Sequence, residues 1–296
     1  FFLFGFRLLQ VTTGFGGSIM TRKSLIQLKN LFVRYAKTCP SCSDGNRLIK
    51  NRCPICGTVW ACNHVSFELF QGEILGIVGE SGSGKSTLMK SLYFDQPVTS
   101  GDCRIGTYKE GEANIFLENN QEQRYIKNHL MGMVYQNPFL GLRMNYSSIG
   151  NVAEKLIQAN FRNYKEISNI SSDLLGKVDI LKSRMGESPK NFSGGMQQRV
   201  QISKALANNP EILLLDEITT GLDLSVQAKV LDLIKQIRRD FQISMLVVSH
   251  DLSVIRMLAD RTIVMLDGKI IEQGLTDQIL EDPQEAFTQQ LVHSLI

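Results

Sequence analysis

The chain has little proline, a single tryptophan and almost no net charge, and the scarcities exclude whole classes of protein. Seven prolines in 296 residues rule out a collagenous or proline-rich disordered chain. Lys and Arg exceed Asp and Glu by only 32 to 29, too little to argue for a nucleic-acid partner by itself. No apolar run reaches the roughly 18 residues that a membrane span needs, and six cysteines in so long a chain do not make a secreted disulfide knot. What is present is 43% hydrophobic and 21% charged residues. That is the balance of a globular chain, long enough to bury a core without covalent staples.

The amino-terminal stretch FFLFGFRLLQVTTGFGG does not begin with Met. A signal peptide would put its positive charge ahead of the apolar run and end on small residues. Here Arg7 interrupts the run, and Met20, followed by Thr-Arg-Lys, is a better start for a cytoplasmic chain. Residues 1–19 therefore read as upstream translated or vector-derived sequence, with a short interfacial helix as the alternative. Residues 1–23 are set aside as a leader and 24–296 are taken as the folded domain.

Four of the six cysteines form two knuckles, Cys39-Pro-Ser-Cys42 and Cys53-Pro-Ile-Cys56, with ten residues between them. Each knuckle turns two sulfurs to one side, and two together close a tetrahedral site of four sulfurs. The spacer is short but suffices for a hairpin. From Cys39 to Cys56 the large apolar residues are only Leu48, Ile49 and Ile55, so the segment cannot fold by burial alone. Structural Zn2+ is the expected ligand, worth roughly 10–16 kcal/mol in small peptides. Iron or an iron–sulfur cluster is the metal alternative, and a pair of disulfides the non-metal one. The insert is placed at 37–62. It carries Lys37, Arg47, Lys50 and Arg52 against Asp44, a basic patch that would suit RNA or DNA. Cys62 is either a spare ligand or a small buried residue, and Cys103 is expected in the core of a strand.

The strongest chemistry lies in Gly79-Glu80-Ser81-Gly82-Ser83-Gly84-Lys85-Ser86-Thr87. This G-x-x-x-x-G-K-[ST] loop follows an apolar run, Ile74–Val78, and precedes an expected helix, the context in which such a loop cradles phosphates. Lys85 should reach the β- and γ-phosphates, and the Ser86 hydroxyl should bind Mg2+. Ile212–Leu215 then lead into Asp216 and Glu217 at a strand's carboxyl end, where α/β sheets bind ligands. Asp216 is expected to hold Mg2+ through water, and Glu217 to take a proton from the attacking water. Ser193-Gly194-Gly195 open a helix running to about Asn208. They imply a second anion site, although Ser193 could simply be an N-cap. A further apolar strand, Met245–Val248, ends near His250, which is expected to contact the γ-phosphate.

Together these motifs resemble the ATP-binding cassette (ABC) ATPases, from about Leu25 to Ile296 and interrupted by the cysteine insert. The resemblance implies an α/β P-loop NTPase fold with a RecA-like core, an antiparallel β subdomain and a helical subdomain, here expected at 137–192. Beside these stands the small zinc-ribbon-like four-cysteine insert. The resemblance also implies that Tyr35 stacks on adenine, that Gln136 senses Mg2+ and the partner, and that Ser193-Gly194-Gly195 is the signature sequence. Gly221-Leu222-Asp223 corresponds to the loop joining two subunits and His250 to the switch histidine. Members of the family bind two ATP between two head-to-tail copies. Met196 departs from the usual Gln of the signature and Ile218 from the usual Pro after the catalytic Glu; neither removes a phosphate ligand. The insert also lies between Tyr35 and the phosphate loop, which leaves the adenine-stacking position open.

Within the family, Gln136-Asn137-Pro138-Phe139-Leu140-Gly141-Leu142-Arg143, Phe192–Arg199 and Gly274–Asp277 look like the PhnK-type ATPases of the carbon–phosphorus lyase system. That likeness implies an ATPase serving phosphonate breakdown. Its partners would be the lyase core with its radical-SAM subunit, as a homodimer or beside a second ABC ATPase, and not a membrane permease. Asp282-Pro283 and Phe287-Thr288 are shared with peptide-transporter ATPases, so the motor of a peptide or nickel importer is the alternative. A cassette that reads nucleic acid with its insert is a third reading. Val152, Leu156, Leu174, Leu175 and Val178 are candidate core positions of the helical part. Val226, Val230, Ile234 and Ile237 should face the sheet from one helix, and residues 271–296 should form a short hairpin and a helix.

Overall fold

A computed structural model describes residues 23–294; the leader assigned to residues 1–23 lies almost entirely outside this range. The chain opens with β1 (Ser24–Tyr35) and, after the cysteine insert, β2 (Val59–Phe70). β3 (Ile74–Val78) runs through the phosphate loop into helix α1 (Lys85–Leu92), followed by β4 (Ser100–Ile105). Helix α2 (Asn120–Tyr125) precedes β5 (Met131–Val134). Next come α3 (Pro138–Gly141), α4 (Ser148–Gln158), α5 (Tyr164–Lys177) and α6 (Gly194–Leu206). β6 (Ile212–Asp216), α7 (Leu224–Phe241), β7 (Ser244–Val248) and α8 (Leu252–Leu258) return to the core. The chain closes with β8 (Arg261–Leu266), β9 (Lys269–Leu275), α9 (Thr276–Glu281) and α10 (Ala286–His293).

The strands form two sheets. One has six strands in the order β5-β6-β7-β3-β8-β9; the other has three, β2-β1-β4. In the large sheet all neighbours are parallel except the terminal β8–β9 pair. Its central strands are buried throughout and largely apolar because both faces are covered. Ile74 and Val78 of β3 join Leu213, Leu215, Met245 and Val247 on the face covered by α4 to α8. Leu75 and Ile77 join Ile212, Leu214, Leu246 and Val248 on the other, against α1 and the three-stranded sheet. Gly76 lets α8 approach closely: a Cβ there would sit 2.8 Å from Ile255 Cγ2.

Val152, Leu156, Leu174, Leu175 and Val178 are all buried in the helical part, and Val230, Ile234 and Ile237 are buried on α7. Two boundaries differ from expectation. Residues 59–62 are already strand, with Val59 opposite Tyr35 and Cys62 opposite Val33. The excursion from the sheet therefore ends at Thr58, because the apolar Val59-Trp60-Ala61 segment has a partner strand to bury against. The terminal hairpin begins at Arg261, closed by Asp267 and Gly268 with φ of 49° and 79°, the two left-handed residues that a tight hairpin requires. Two helices follow it, where one was expected.

Candidate active site and the four-cysteine insert

Parallel topology sets the site. β3, β5, β6 and β7 all run the same way, so the segments following their carboxyl ends open on one edge of the sheet. Those segments carry the phosphate loop, Gln136, the pair Asp216-Glu217, and His250.

The phosphate loop can exist only with its glycines. Gly79 and Gly84 have φ of 148° and 105°, and a Cβ would lie 2.1 Å from Met265 O at the first and 2.0 Å from Ala61 O at the second. The first helical bond of α1 runs from Leu88 N–H to Gly84 C=O. The N–H groups of Lys85, Ser86 and Thr87 thus have no partner within the helix, and the helix dipole favours an anion there. Lys85 Nζ lies in the loop, 2.7 Å from Gly79 O, 2.8 Å from Glu80 O and 3.4 Å from Ser83 Oγ. Burial lowers its pKa, opposed by Glu217, Asp216 and Glu80. The ammonium is therefore held in an incompletely solvated place beside free N–H donors, an arrangement that fits a triphosphate.

Two carboxylates face this loop. Asp216 Oδ1 accepts a hydrogen bond from Ser86 Oγ at 3.0 Å. Burial raises the Asp216 pKa, with Glu217 adding to the rise and Lys90 and Lys85 opposing it. A hydroxyl and a part-desolvated carboxylate in contact suit a hard divalent cation with oxygen ligands, such as Mg2+. Glu217 has φ of 47°, a strained value for a non-glycine residue. Its Oε2 accepts from Gln136 Nε2 at 2.7 Å and Thr220 Oγ1 at 3.2 Å, and lies 3.3 Å from His250 Nδ1. Tyr35, half exposed at the end of β1, has its hydroxyl 2.9 Å from Thr87 Oγ1. The fold thus brings Tyr35, the phosphate loop, Gln136, Asp216, Glu217 and His250 into one neighbourhood.

Ser193, Gly194 and Gly195 stand apart from it; among the described residues no hydrogen bond joins them to the phosphate loop. Ser193 occupies the N-cap position of α6, yet its hydroxyl caps nothing. Ser147, Asn163, Asp223 and Asp251 each accept a backbone N–H at their own helices. Gln198, which lies within the Phe192–Arg199 motif without an assigned role, and Gln201, which lies beyond it, tie α6 to the site. Gln198 Nε2 donates to Gln136 O at 3.2 Å, and Gln201 exchanges bonds of 2.8 and 3.0 Å with the Tyr135 backbone. Only their placement at one-turn spacing on the signature helix could have pointed to them.

The insert brings its four sulfurs together. Sγ–Sγ distances are 3.8 Å for Cys39–Cys42, 3.8 Å for Cys39–Cys53 and 3.5 Å for Cys42–Cys56, and all four lie within 4.8 Å of one another. A tetrahedron with Zn–S of about 2.3 Å has edges of roughly 3.8 Å, whereas a disulfide needs about 2.05 Å. The sulfurs therefore fit a metal cage and none is bonded to another. The Thr58 hydroxyl, 3.2 Å away, pulls the Cys56 thiol down to about 5. Burial pushes Cys42 up to about 12, a group that a cation at the centre would ionise. A hairpin turn spans the spacer, with Ile49 and Arg52 exchanging bonds of 2.9 and 3.1 Å. Cys62 and Cys103 are buried in strands away from the cluster; burial raises Cys62 to about 12 and Cys103 still further.

Comparison with known proteins identifies the family. The ABC transporter family model matches residues 62–220. The phosphonates utilization ATP-binding protein PhnK of Escherichia coli K12 is 41% identical over 232 residues, covering 78% of this chain and 90% of that protein. The oligopeptide transport ATP-binding protein OppD of Bacillus subtilis 168 is 34% identical over 241 residues, covering 81% and 67% respectively. Among solved structures, the dimeric post-hydrolysis state of the ATP-binding cassette MJ0796 with ADP and phosphate superposes with a TM-score of 0.69 at 27% identity, covering 85% of this chain and 99% of that one. With its phosphate loop, paired carboxylates and two-sheet architecture, the chain belongs to the ABC transporter family and is an ATP-hydrolysing, PhnK-like ATP-binding cassette.

Proposed function

We propose that hydrolysis is carried by Glu217, positioned by Gln136 and His250 and acting on a water beside the γ-phosphate. The observation behind this is the triple contact on Glu217 Oε2, at 2.7 Å from Gln136, 3.2 Å from Thr220 and 3.3 Å from His250. In this reading the carboxylate accepts the water's proton as the oxygen attacks the γ-phosphorus, and the bond from that phosphorus to the β,γ-bridging oxygen breaks to release ADP and phosphate. Lys85 and the N–H groups of Gly82, Gly84, Ser86 and Thr87 hold the phosphates, with Ser81 and Ser83 completing the loop. Tyr35 offers a half-exposed ring to the base. Ser86, Asp216 and Gln136 would hold Mg2+, which when bound supplies positive charge against that developing on the phosphate oxygens. Ser193, Gly194 and Gly195 serve the site of a second copy: the uncommitted Ser193 hydroxyl and a helix N-terminus turned to no ligand of its own chain support that role.

The cassette is further proposed to work with the soluble carbon–phosphorus lyase core in phosphonate catabolism. The support is its 41% identity across 90% of PhnK and the Gln136–Arg143 segment. The peptide-importer reading rests on the 34% identity to OppD. Among the described residues no helix is long and apolar enough to cross a membrane, and a cytoplasmic location is part of the same proposal. Residues 137–192 are assigned as the partner-receiving helical subdomain, and the four-cysteine module holding Zn2+ is assigned to 37–58, since 59–62 belong to β2, with docking as its role. Affinity capture from native cells separates the readings: lyase-core subunits support the first, and a permease overturns it in favour of the second. Metal analysis of the purified chain tests the module, and less than a few tenths of zinc or iron per chain ends that part.

A further inference from the structure

The cysteine module does not hang free of the nucleotide site. Its first knuckle leads to Gly45, whose N–H bonds to Cys42 O at 3.2 Å. Gly45 O accepts from Asn63 Nδ2 at 2.9 Å. Asn63 is 2% exposed, and its Oδ1 is pressed so close to Gly45 that a Cβ there would lie 2.8 Å away; that oxygen has no hydrogen-bond partner of its own. The Asn63 backbone N–H donates to Gly268 O at 2.7 Å, and the Gly268 N–H donates to Ser83 O at 3.0 Å. Ser83 is in the phosphate loop, with its hydroxyl 3.4 Å from Lys85 Nζ. One residue earlier on the same strand, Cys62 Sγ is 4.0 Å from Gly84 O. Ala61 O occupies the space that a side chain at Gly84 would need. Segment 61–63 therefore has the metal module on one side and the phosphate loop on the other.

The second knuckle grips the same strand. Cys53 N–H donates to Thr58 O at 2.9 Å, and Trp60 N–H donates to Asn51 O at 2.7 Å. Thr58 Oγ also donates to Lys37 O at 2.6 Å, closing the base of the module. The first knuckle thus reaches β2 through the buried Gly45–Asn63 bond and the second through Trp60 and the adjoining Thr58, and β2 reaches the phosphate loop through Gly268 by two more.

We propose that Asn63 is a positioning residue through which the loaded four-cysteine module fixes the phosphate loop, so that nucleotide affinity depends on metal occupancy. This rests on the reading of the module as a metal site. Without the ion, Leu48, Ile49 and Ile55 cannot hold the knuckles; Ile49 and Ile55 are themselves exposed. Gly45 then leaves Asn63, whose buried amide loses its one partner and must find another by moving, and the Gly268–Ser83 contact moves with it. Asn63 touches neither nucleotide nor metal, so its effect is read as affinity, not as a lost ligand.

The test uses the full chain and Mg-ADP as probe, which binds without turning over. Metal content is measured first; then the ADP Kd is measured as purified and after the zinc or iron is removed by chelation and Mg2+ restored. The same pair of measurements is made on Asn63→Ala and on the near-isosteric Asn63→Leu. Expected results are about tenfold weaker ADP binding on stripping the wild type, a similar loss in both variants with metal content unchanged, and no further loss when the variants are stripped. Equal ADP affinity in loaded and stripped wild type overturns the coupling while leaving the metal site intact. Independent, additive losses from stripping and from substitution overturn the role of Asn63. Absence of metal even after reconstitution removes the underlying reading instead, and the first measurement reports it separately. The wild-type stripping arm decides the coupling even if a variant fails to fold.

Discussion

Glu217→Gln separates binding from chemistry at a single carboxylate. In the wild type, Oε2 takes the Gln136 amide at 2.7 Å and the Thr220 hydroxyl at 3.2 Å. A glutamine can present its own carbonyl oxygen to the same two donors, so the geometry is kept and only basicity is lost. A positioned general base contributes roughly 10²- to 10⁴-fold, equivalent to about 3–5 kcal/mol of barrier. The phosphate loop is untouched, so Mg-ATP affinity should stay within about threefold. Phosphate release measures the first quantity, equilibrium binding of a fluorescent ATP analogue the second, and size-exclusion mass with Mg-ATP reports whether the variant accumulates as a dimer. A fall in kcat of less than tenfold would refute Glu217 as the base. A large fall matched by an equal loss of ATP affinity would refute it too, since the carboxylate would then be holding the nucleotide or its metal.

Three further outcomes follow from particular contacts. Gly84→Ala forces a methyl to 2.0 Å from Ala61 O at φ 105° and should weaken Mg-ATP binding by at least about tenfold, with strain of order 1–3 kcal/mol. Gly72→Ala, at φ 71° with nothing within 4 Å, should be strained but bind normally; equal binding in the two variants would contradict the close-approach argument. Under the proposed metal reading of the module, Cys53→Ser should lose the ion and speed tryptic cleavage at the already exposed Arg47, Lys50 and Arg52, and an unchanged cleavage rate would show that the hairpin stands without an ion. Lys155 is buried with its ammonium 2.7 Å from Lys127 O, and burial, reinforced by Lys127 and Lys204, lowers it to about 7. The unfolded chain keeps that proton to about 10.4 and so binds more protons above pH 7, so this group makes stability rise with pH there by up to about 1.4 kcal/mol per unit. Lys155→Met should flatten that part of the profile in urea titrations at pH 7 to 9, and parallel slopes in wild type and variant would show that the folded lysine holds its proton as tightly as the unfolded one.

Much of the nucleotide site could be read in the chain because its chemistry is contiguous. Gly79 to Thr87 form one loop, Asp216 and Glu217 adjoin, and each follows an apolar run with a single structural meaning. The cysteine knuckles are legible for the same reason: two sulfurs per turn is a local property. Convergence of Gln136, Glu217 and His250 is not local. It depends on β5, β6 and β7 lying side by side, an order that strand composition does not specify, since all three runs are equally apolar. The resemblance to a family anticipated it; the spacing could not. Asn63 and Gly268 escaped notice because each acts through backbone and one amide, leaving no pattern of residue types. Cys62 drew attention by nearness in sequence to the knuckles, yet Val59–Cys62 pair with Val33–Tyr35 and turn that thiol into the core.

The placement of Gln198 and Gln201 gives the proposed dimer a physical link between its two kinds of contact. Both lie on α6, whose N-terminus is Ser193-Gly194-Gly195, and both bond to the Tyr135–Gln136 backbone. Their side chains are also joined to each other at 3.0 Å and are almost fully buried, so moving one without the other leaves a buried amide unpaired. A signature end drawn onto a phosphate in a second copy therefore cannot tilt α6 without dragging the backbone that carries Gln136. Gln136 in turn holds Glu217 at 2.7 Å. Under the proposed mechanism, then, closure at the partner's site and placement of the base at the chain's own site are two ends of one rigid helix. Gly141, where a Cβ would lie 2.1 Å from Gln201 Oε1, marks how little slack that connection has. Under the same proposal, partner segments that press on the exposed Phe139 and Leu140 beside it would act on the same helix, so an assembly that received the cassette there would reach Glu217 without touching nucleotide.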